Sequence, residues 1–64
     1  MTKEEAQSII QELQAGEAQS YQVSKADFLV FREVLMAQND AKDFRGYAKH
    51  GGNTIYTYEP GWSK

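Results

Sequence analysis

The 64-residue sequence has no cysteine, a single histidine and a single proline. Without thiols no disulfide can form, and His50 alone cannot supply the four nitrogen and sulfur ligands of a structural zinc site. We therefore expect neither a metal nor a cofactor. A domain of this size buries only about 60% of the surface that its unfolded chain exposes. Tight packing or self-association must therefore supply the stability that cross-links give other small domains.

The sequence also lacks a long apolar segment. Its longest nearly unbroken apolar run, residues 28–31, is far shorter than the roughly 20 residues that cross a bilayer. The N-terminal region has no basic stretch followed by an apolar segment, so no secretory signal is predicted. We expect one soluble, cytoplasmic domain over residues 1–64 and no membrane partner.

Charge of one sign is not concentrated strongly enough to indicate a DNA-binding protein. The net charge is −2, with seven acidic and three basic residues in 1–40 but two acidic and four basic residues in 41–64. A dipole of this kind can steer a partner, although it is weak beside the basic stripes of DNA-binding domains.

Two helices are predicted in the first part of the chain. Thr2 and Glu5 have the spacing of a capping box, and Gly16 suits a left-handed C-cap, so the first helix should cover about residues 3–15. Its apolar stripe comprises Ala6, Ile9, Ile10 and Leu13. A second helix is expected from Ser24, as N-cap, to about residue 38. It should be central to the core because it is apolar around most of its circumference, with Phe28, Leu29, Phe31, Val34, Leu35 and Met36.

The C-terminal part reads as a β-hairpin. Residues 44–49 and 54–58 have period-two character and flank a Gly51-Gly52 pair, which suits a two-residue hairpin loop. Pro60-Gly61 should end the second strand. The alternation in residues 19–23 indicates a further short strand that could join the sheet. The predicted fold class is α+β, with two amphipathic helices followed by a C-terminal antiparallel β-hairpin.

The two-residue loop would set the register of the hairpin. Tyr47 would lie opposite Tyr56, and Gly46 opposite Thr57. The face turned away from the helices would then carry Arg45, Tyr47, Lys49, Thr54, Tyr56 and Tyr58, and the face toward helix 2 would carry Phe44, Gly46, Ala48, Ile55 and Thr57. Gly46 would allow a helix or an aromatic ring to approach the backbone. A three-residue loop would shift one strand by a residue and divide the tyrosine face.

The predicted interaction surface consists of aromatic and basic side chains, namely Arg45, Tyr47, Lys49, Tyr56, Tyr58 and Trp62. Tyrosine and arginine are enriched in protein interfaces, which favours a protein partner or a homodimer. Two alternatives stay open. The tyrosines can simply stabilise the hairpin as cross-strand pairs, or the face can bind single-stranded nucleic acid weakly by stacking and phosphate contacts. Trp62 either folds back over the core or stays exposed as a contact residue.

No catalytic constellation is present. His50 has no serine, cysteine or carboxylate linked to it by a motif, so we interpret it as a solvated turn residue. Gly51-Gly52 lacks the surrounding pattern of a phosphate-binding loop. We therefore expect no catalytic, cofactor-binding or metal-binding residues. The predicted function is a small non-enzymatic protein-interaction domain.

Overall fold

The structure is a computed structural model that describes residues 1–62. Its elements are α1 (Lys3–Gln14), β1 (Tyr21–Val23), α2 (Phe28–Met36), β2 (Phe44–Ala48) and β3 (Thr54–Tyr58). The three strands form an antiparallel sheet in the order β1-β3-β2. The α+β fold class and the C-terminal hairpin are thus confirmed. The short strand predicted near residues 19–23 is also present, paired with β3.

Helix α1 begins as its sequence predicts. The Thr2 hydroxyl accepts the Glu5 N–H at 3.1 Å, and the Glu5 carboxylate accepts the Thr2 N–H at 2.8 Å. These two bonds satisfy backbone donors that the first turn leaves unpaired. Gly16 follows the helix with φ of +77°, the left-handed conformation that glycine adopts without a steric penalty.

Helix α2 is shorter than predicted, and Ser24 is not its N-cap. Asp27 donates its N–H to the Ser24 carbonyl at 3.1 Å, so residues 24–27 form a separate turn ahead of the helix. The Ser24 hydroxyl donates to the Asp27 carboxylate at 3.2 Å instead of accepting a helical N–H. Asp27 also accepts a hydrogen bond from the Met1 amino group at 3.1 Å, which lowers the pKa of its carboxyl. The turn is stabilised by its own partners, and the helix therefore starts at Phe28.

The predicted hairpin register is wrong by one residue. Lys49 donates its N–H to the Asn53 carbonyl at 2.8 Å, so the loop contains three residues, His50 to Gly52. Gly46 lies opposite Tyr56, and Tyr47 lies opposite Ile55. The inward-facing residues of β2 are those predicted, whereas β3 presents the opposite set, with Thr54, Tyr56 and Tyr58 on the inner face.

The third strand explains why this register is favoured. Tyr21 pairs with Tyr56, and Val23 pairs with Thr54, so these side chains share the face that covers the core. Val23 is buried and Tyr21 is half-buried against the core. A shift of one residue in β3 would turn Tyr56 away from both.

The core lies between the two helices and the inner face of the sheet. The Phe31 ring of α2 is 6.3 Å from Tyr21 and 4.9 Å from Tyr56, measured between ring centroids. On its other side the Tyr56 ring approaches Gly46, where a Cβ would lie 3.2 Å from Tyr56 Cε1. The predicted approach of an aromatic ring to Gly46 is thus confirmed. The buried residues are Ala6, Ile10, Leu13, Val23, Phe31, Leu35, Phe44 and Tyr56.

Candidate protein-interaction site

The six residues of the predicted interaction surface do not lie on one face. Arg45, Tyr47 and Trp62 come together on the outer face of the sheet. Lys49 follows β2 at the hairpin end and is exposed. Tyr56 and Tyr58 point the other way because the loop has three residues instead of two. The predicted grouping of three tyrosines on one surface is therefore wrong.

Tyr56 and Tyr58 have structural surroundings on the inner face. Tyr56 is only 7% exposed, and burial raises the pKa of its hydroxyl. The Tyr58 ring packs 4.9 Å from Phe44 between centroids, and its hydroxyl donates to Asp40 at 2.8 Å. That hydrogen bond raises the pKa of Tyr58. Both side chains stabilise the fold and are turned away from the outer face.

The outer face carries an interlocked group that we name the outer-face cluster: Arg45, Tyr47, Thr57, Glu59 and Trp62. The Arg45 guanidinium carbon lies 5.0 Å from the centroid of the Tyr47 ring and 5.0 Å from that of the Trp62 ring. Arg45 Nη1 is 3.8 Å from Glu59 Oε1. Guanidinium groups stack on aromatic faces in this way, by cation–π attraction. Trp62 is 46% exposed and lies on this face, so it does not cap the core.

Glu59 connects the other members of the cluster through hydrogen bonds. The Thr57 hydroxyl and the Tyr47 hydroxyl both donate to Glu59 Oε2, the latter at 2.9 Å. Both hydrogen bonds lower the pKa of Glu59 because they favour its ionised form, and the bond from Thr57 has the larger effect. The bond to Glu59 raises the pKa of Tyr47. An ionised carboxylate among these rings opposes phosphate binding, so the geometry gives little support to the nucleic-acid alternative.

A shallow groove lies beside the start of α2. It has a volume of about 370 Å³ and is lined by Lys25, Phe28, Leu29, Gly52 and Thr54. Leu29 is 78% exposed, and Met36, seven positions further along the same helix, is 58% exposed. The expectation that α2 is central to the core holds for Phe31 and Leu35, which are buried, but Leu29 and Met36 take no part in the core. Leu29 and Met36 lie seven positions apart on the face of α2 that also carries Arg32 and Glu33, and the sequence shows that this face is polar between them.

The outer edge of β2 is open. The Lys49 N–H and the Asp43 carbonyl are bonded to Asn53 and Glu59, so the odd-numbered residues of this segment direct their polar backbone groups toward β3. Gly46 and Ala48 therefore direct theirs away from β3. Both residues are exposed, and neither N–H has a hydrogen-bond partner among residues 1–62. The sequence could not show this, because it did not reveal that β1 pairs with β3 and leaves β2 at the edge.

The described residues contain no group of three or more His, Cys, Asp or Glu side chains placed to hold a metal ion. His50 is exposed in the hairpin loop. Within residues 1–62, neither helix has the length and apolar content that crossing a membrane would require.

Comparison with known proteins places the chain in a family. It matches no curated protein and no solved structure. Residues 3–57 match the family described as YkzS-like protein. The match begins at the first residue of α1 and ends one residue before the end of β3, so it includes four elements completely, most of β3 and the open edge of β2. Since it covers well over half of the sequence, the chain belongs to the YkzS-like protein family.

Proposed function

We propose that this protein is a small, non-enzymatic, cytoplasmic protein-interaction domain that binds its partner through the open edge of β2. The observation that carries the proposal is that the backbone N–H groups of Gly46 and Ala48 point away from β3 and have no hydrogen-bond partner in the described part of the chain. An exposed strand edge is a ready template for pairing with another chain, and many domains recognise partners by adding a strand to such an edge.

The contrast between the two sheet edges supports this assignment. Proteins commonly protect edge strands by keeping them very short or by adding proline, bulges or inward-pointing charges. The edge strand β1 has only three residues. Strand β2 has five residues in continuous register, no proline, and only Phe44, Gly46 and Ala48 on its inner face. Strand β2 is thus the longer edge, and its one charged residue, Arg45, lies on the outer face beside Glu59.

The non-enzymatic part of the proposal rests on the causes of the shifted pKa values. The Thr2 backbone N–H lowers the pKa of Glu5 as part of the helix cap, and the amino terminus lowers that of Asp27 within a turn. Catalytic sites gather such shifted groups in a cleft. The residues whose pKa is shifted, namely Glu5, Asp27, Tyr47, Tyr56, Tyr58 and Glu59, do not line the groove beside α2.

Substitution of Ala48 by proline tests the proposal. Proline removes the outward N–H of this residue and leaves the ladder between β2 and β3 intact, a position where edge strands tolerate it. We expect partner binding in cross-linking pull-downs to persist for Ala48→Thr, which keeps the N–H, and to be lost for Ala48→Pro. Nuclear magnetic resonance spectra must first show that both variants are folded. Binding that is equal for the two folded variants would contradict the proposal.

A further inference from the structure

We propose that the partner at the β2 edge is a second copy of this chain, paired antiparallel about a two-fold axis that passes beside Gly46. This inference rests on the proposed function and specifies its partner. A two-fold interface must be self-complementary, because each residue that contacts a second one is contacted by it in return. The β2 edge can be examined for this property residue by residue.

The backbone groups match in this arrangement. Gly46 of one copy lies opposite Gly46 of the other, and each donates its N–H to the other's carbonyl. Ala48 lies opposite Phe44 of the second copy and donates to its carbonyl. The Phe44 N–H needs no new partner, since it already donates to the Ala41 carbonyl within its own chain. The outward N–H groups that lack partners in one chain are thereby satisfied in the pair.

The charges on the outer face also match. Asp43, the residue before β2, would meet Lys49, the residue after β2, of the other copy, and the two-fold axis repeats this ion pair. Asp43 Oδ1 accepts the Gly61 N–H at 3.3 Å, which leaves Oδ2 for a lysine. Lys49 is exposed and directly follows β2. Opposite charges placed directly across two strands stabilise the pairing.

Arginine and tyrosine complete the outer face of the pair. Arg45 of one copy lies opposite Tyr47 of the second, at a non-hydrogen-bonded position where side chains come closest. Within one chain the Arg45 guanidinium already lies 5.0 Å from its own Tyr47 ring. Pairing would therefore extend the stack of guanidinium and aromatic groups across the axis, a contact type enriched in protein interfaces.

The neighbouring registers are disfavoured by the same side chains. A shift that moves Tyr47 opposite Tyr47 of the second copy brings Arg45 opposite Lys49. The shift in the other direction brings Arg45 opposite Arg45. Both oppose two cations directly across the strands, which is destabilising. The register centred on Gly46 avoids this conflict and also places two glycines at the axis, where inner-face side chains would otherwise meet.

Disulfide trapping tests the register, because the chain has no cysteine of its own. Arg45→Cys and Tyr47→Cys are prepared as separate proteins and mixed under mild oxidation. Their thiols would lie opposite each other, with Cα atoms about 4.5 Å apart, a distance that a disulfide spans. Copies of one variant alone would place their thiols diagonally, about 7–8 Å apart. We expect at least about fivefold more disulfide-linked dimer from the mixture than from either variant alone.

Gln22→Cys provides the matched control, since Gln22 is exposed on the opposite edge strand β1. Mixing it with Arg45→Cys should not increase cross-linking. Equal cross-linking of all mixtures would overturn the register.

A charge exchange gives an independent test that retains the outer-face cluster. Asp43→Lys and Lys49→Glu each create like-charged pairs in their own homodimers, whereas a mixed dimer has only opposite-charged pairs. In analytical ultracentrifugation we expect each variant to associate at least about fivefold more weakly than the unmodified chain, and the equimolar mixture to regain association. The inference would be contradicted if the unmodified chain is dimeric but the mixture of the two variants associates as weakly as each variant alone.

The inference and the proposed function can fail separately. An unmodified chain that is strictly monomeric and forms no register-specific disulfide would refute the second copy as partner. The proposed function would survive that result if another protein bound to Ala48→Thr and did not bind to Ala48→Pro. Dimers that form equally well with Ala48→Pro would overturn the inference, because the β2 edge would then take no part in self-association. The proposed function would be overturned only by partner binding that is equal for Ala48→Thr and Ala48→Pro.

Discussion

Glu59 fixes the arrangement of the outer-face cluster. Its carboxylate accepts hydrogen bonds from Thr57 and Tyr47 and faces the Arg45 guanidinium. Each of these partners reaches it from β2 or β3, whereas Glu59 itself follows the last strand. The cluster thereby holds Tyr47 and Trp62 in place on the outer face while both remain partly exposed.

The titration of Glu59 should report these hydrogen bonds. A folded-state pKa below the unfolded value of about 4.3 means that ionised Glu59 stabilises the fold above that pH, and that this contribution is lost as the pH falls through the folded-state pKa. We expect a carbon-detected titration of Glu59 to have its midpoint below the ordinary value. In Thr57→Val the midpoint should rise toward it, because the largest cause of the lowering is removed.

Thr54→Val is the control for that titration, since Thr54 lies on the same strand but on the inner face. Its Glu59 midpoint should equal that of the unmodified chain. If Thr57→Val also leaves the midpoint unchanged, the hydrogen bond from Thr57 does not hold the carboxylate.

Among side-chain interactions, those between residues close in sequence can be predicted from the sequence. The capping box joins Thr2 and Glu5, three positions apart, and its sequence pattern identified it correctly. The role of Glu59 could not be foreseen in the same way. Tyr47 is twelve positions away, and its meeting with Glu59 depends on the register of two strands and on the side of the sheet that Glu59 occupies.

At the scale of elements, the hairpin shows how one residue of loop length decides a surface. The period-two character of the sequence predicts both strands, and it also predicts which residues of β2 face inward. The inner and outer residues of β3 are the reverse of those predicted, because His50 belongs to the loop and not to β2. The turn preference of Gly-Gly favours a two-residue loop. The pairing of β3 with β1 instead packs Tyr21, Val23 and Tyr56 together, and this packing is a property of the whole sheet that turn preferences do not include.

Two substitutions separate the observed register from the predicted one. In the observed register Tyr56 is buried between Phe31 and Gly46, while Tyr47 is 36% exposed on the other face. We expect Tyr56→Leu to lower the free energy of unfolding by about 2 kcal/mol or more, because the core loses a packed ring. Tyr47→Leu should cost about 1 kcal/mol or less, the range of one exposed hydrogen bond. Chemical denaturation measures both values.

These two variants carry the same change in side chain and differ only in position. In the predicted register the two tyrosines would lie opposite each other on one face and would be equivalent. Similar losses of stability for the two variants would therefore contradict the observed register.

At the scale of the whole molecule, the fold buries few apolar side chains. Among residues 1–62, eight form the buried core, while the large side chains of Leu29 and Met36 remain exposed. A domain this small has a narrow margin of stability. Pairing at the β2 edge would join two three-stranded sheets into a six-stranded one and would give the outward N–H groups of Gly46 and Ala48 hydrogen-bond partners. Association and stability should then be linked.

That linkage predicts a melting temperature that depends on protein concentration. Above the dissociation constant of a dimer, each tenfold rise in concentration stabilises each chain by about 0.7 kcal/mol, because the dimer binds only folded chains. For a domain of this length the corresponding rise in Tm is about 3–6 °C. Calorimetry of the unmodified chain and of Ala48→Thr from about 10 μM to about 1 mM should show this increase. Ala48→Pro should melt at one temperature throughout, since it cannot complete the edge. A constant Tm for the unmodified chain over the same range would show that its stability does not depend on a second copy.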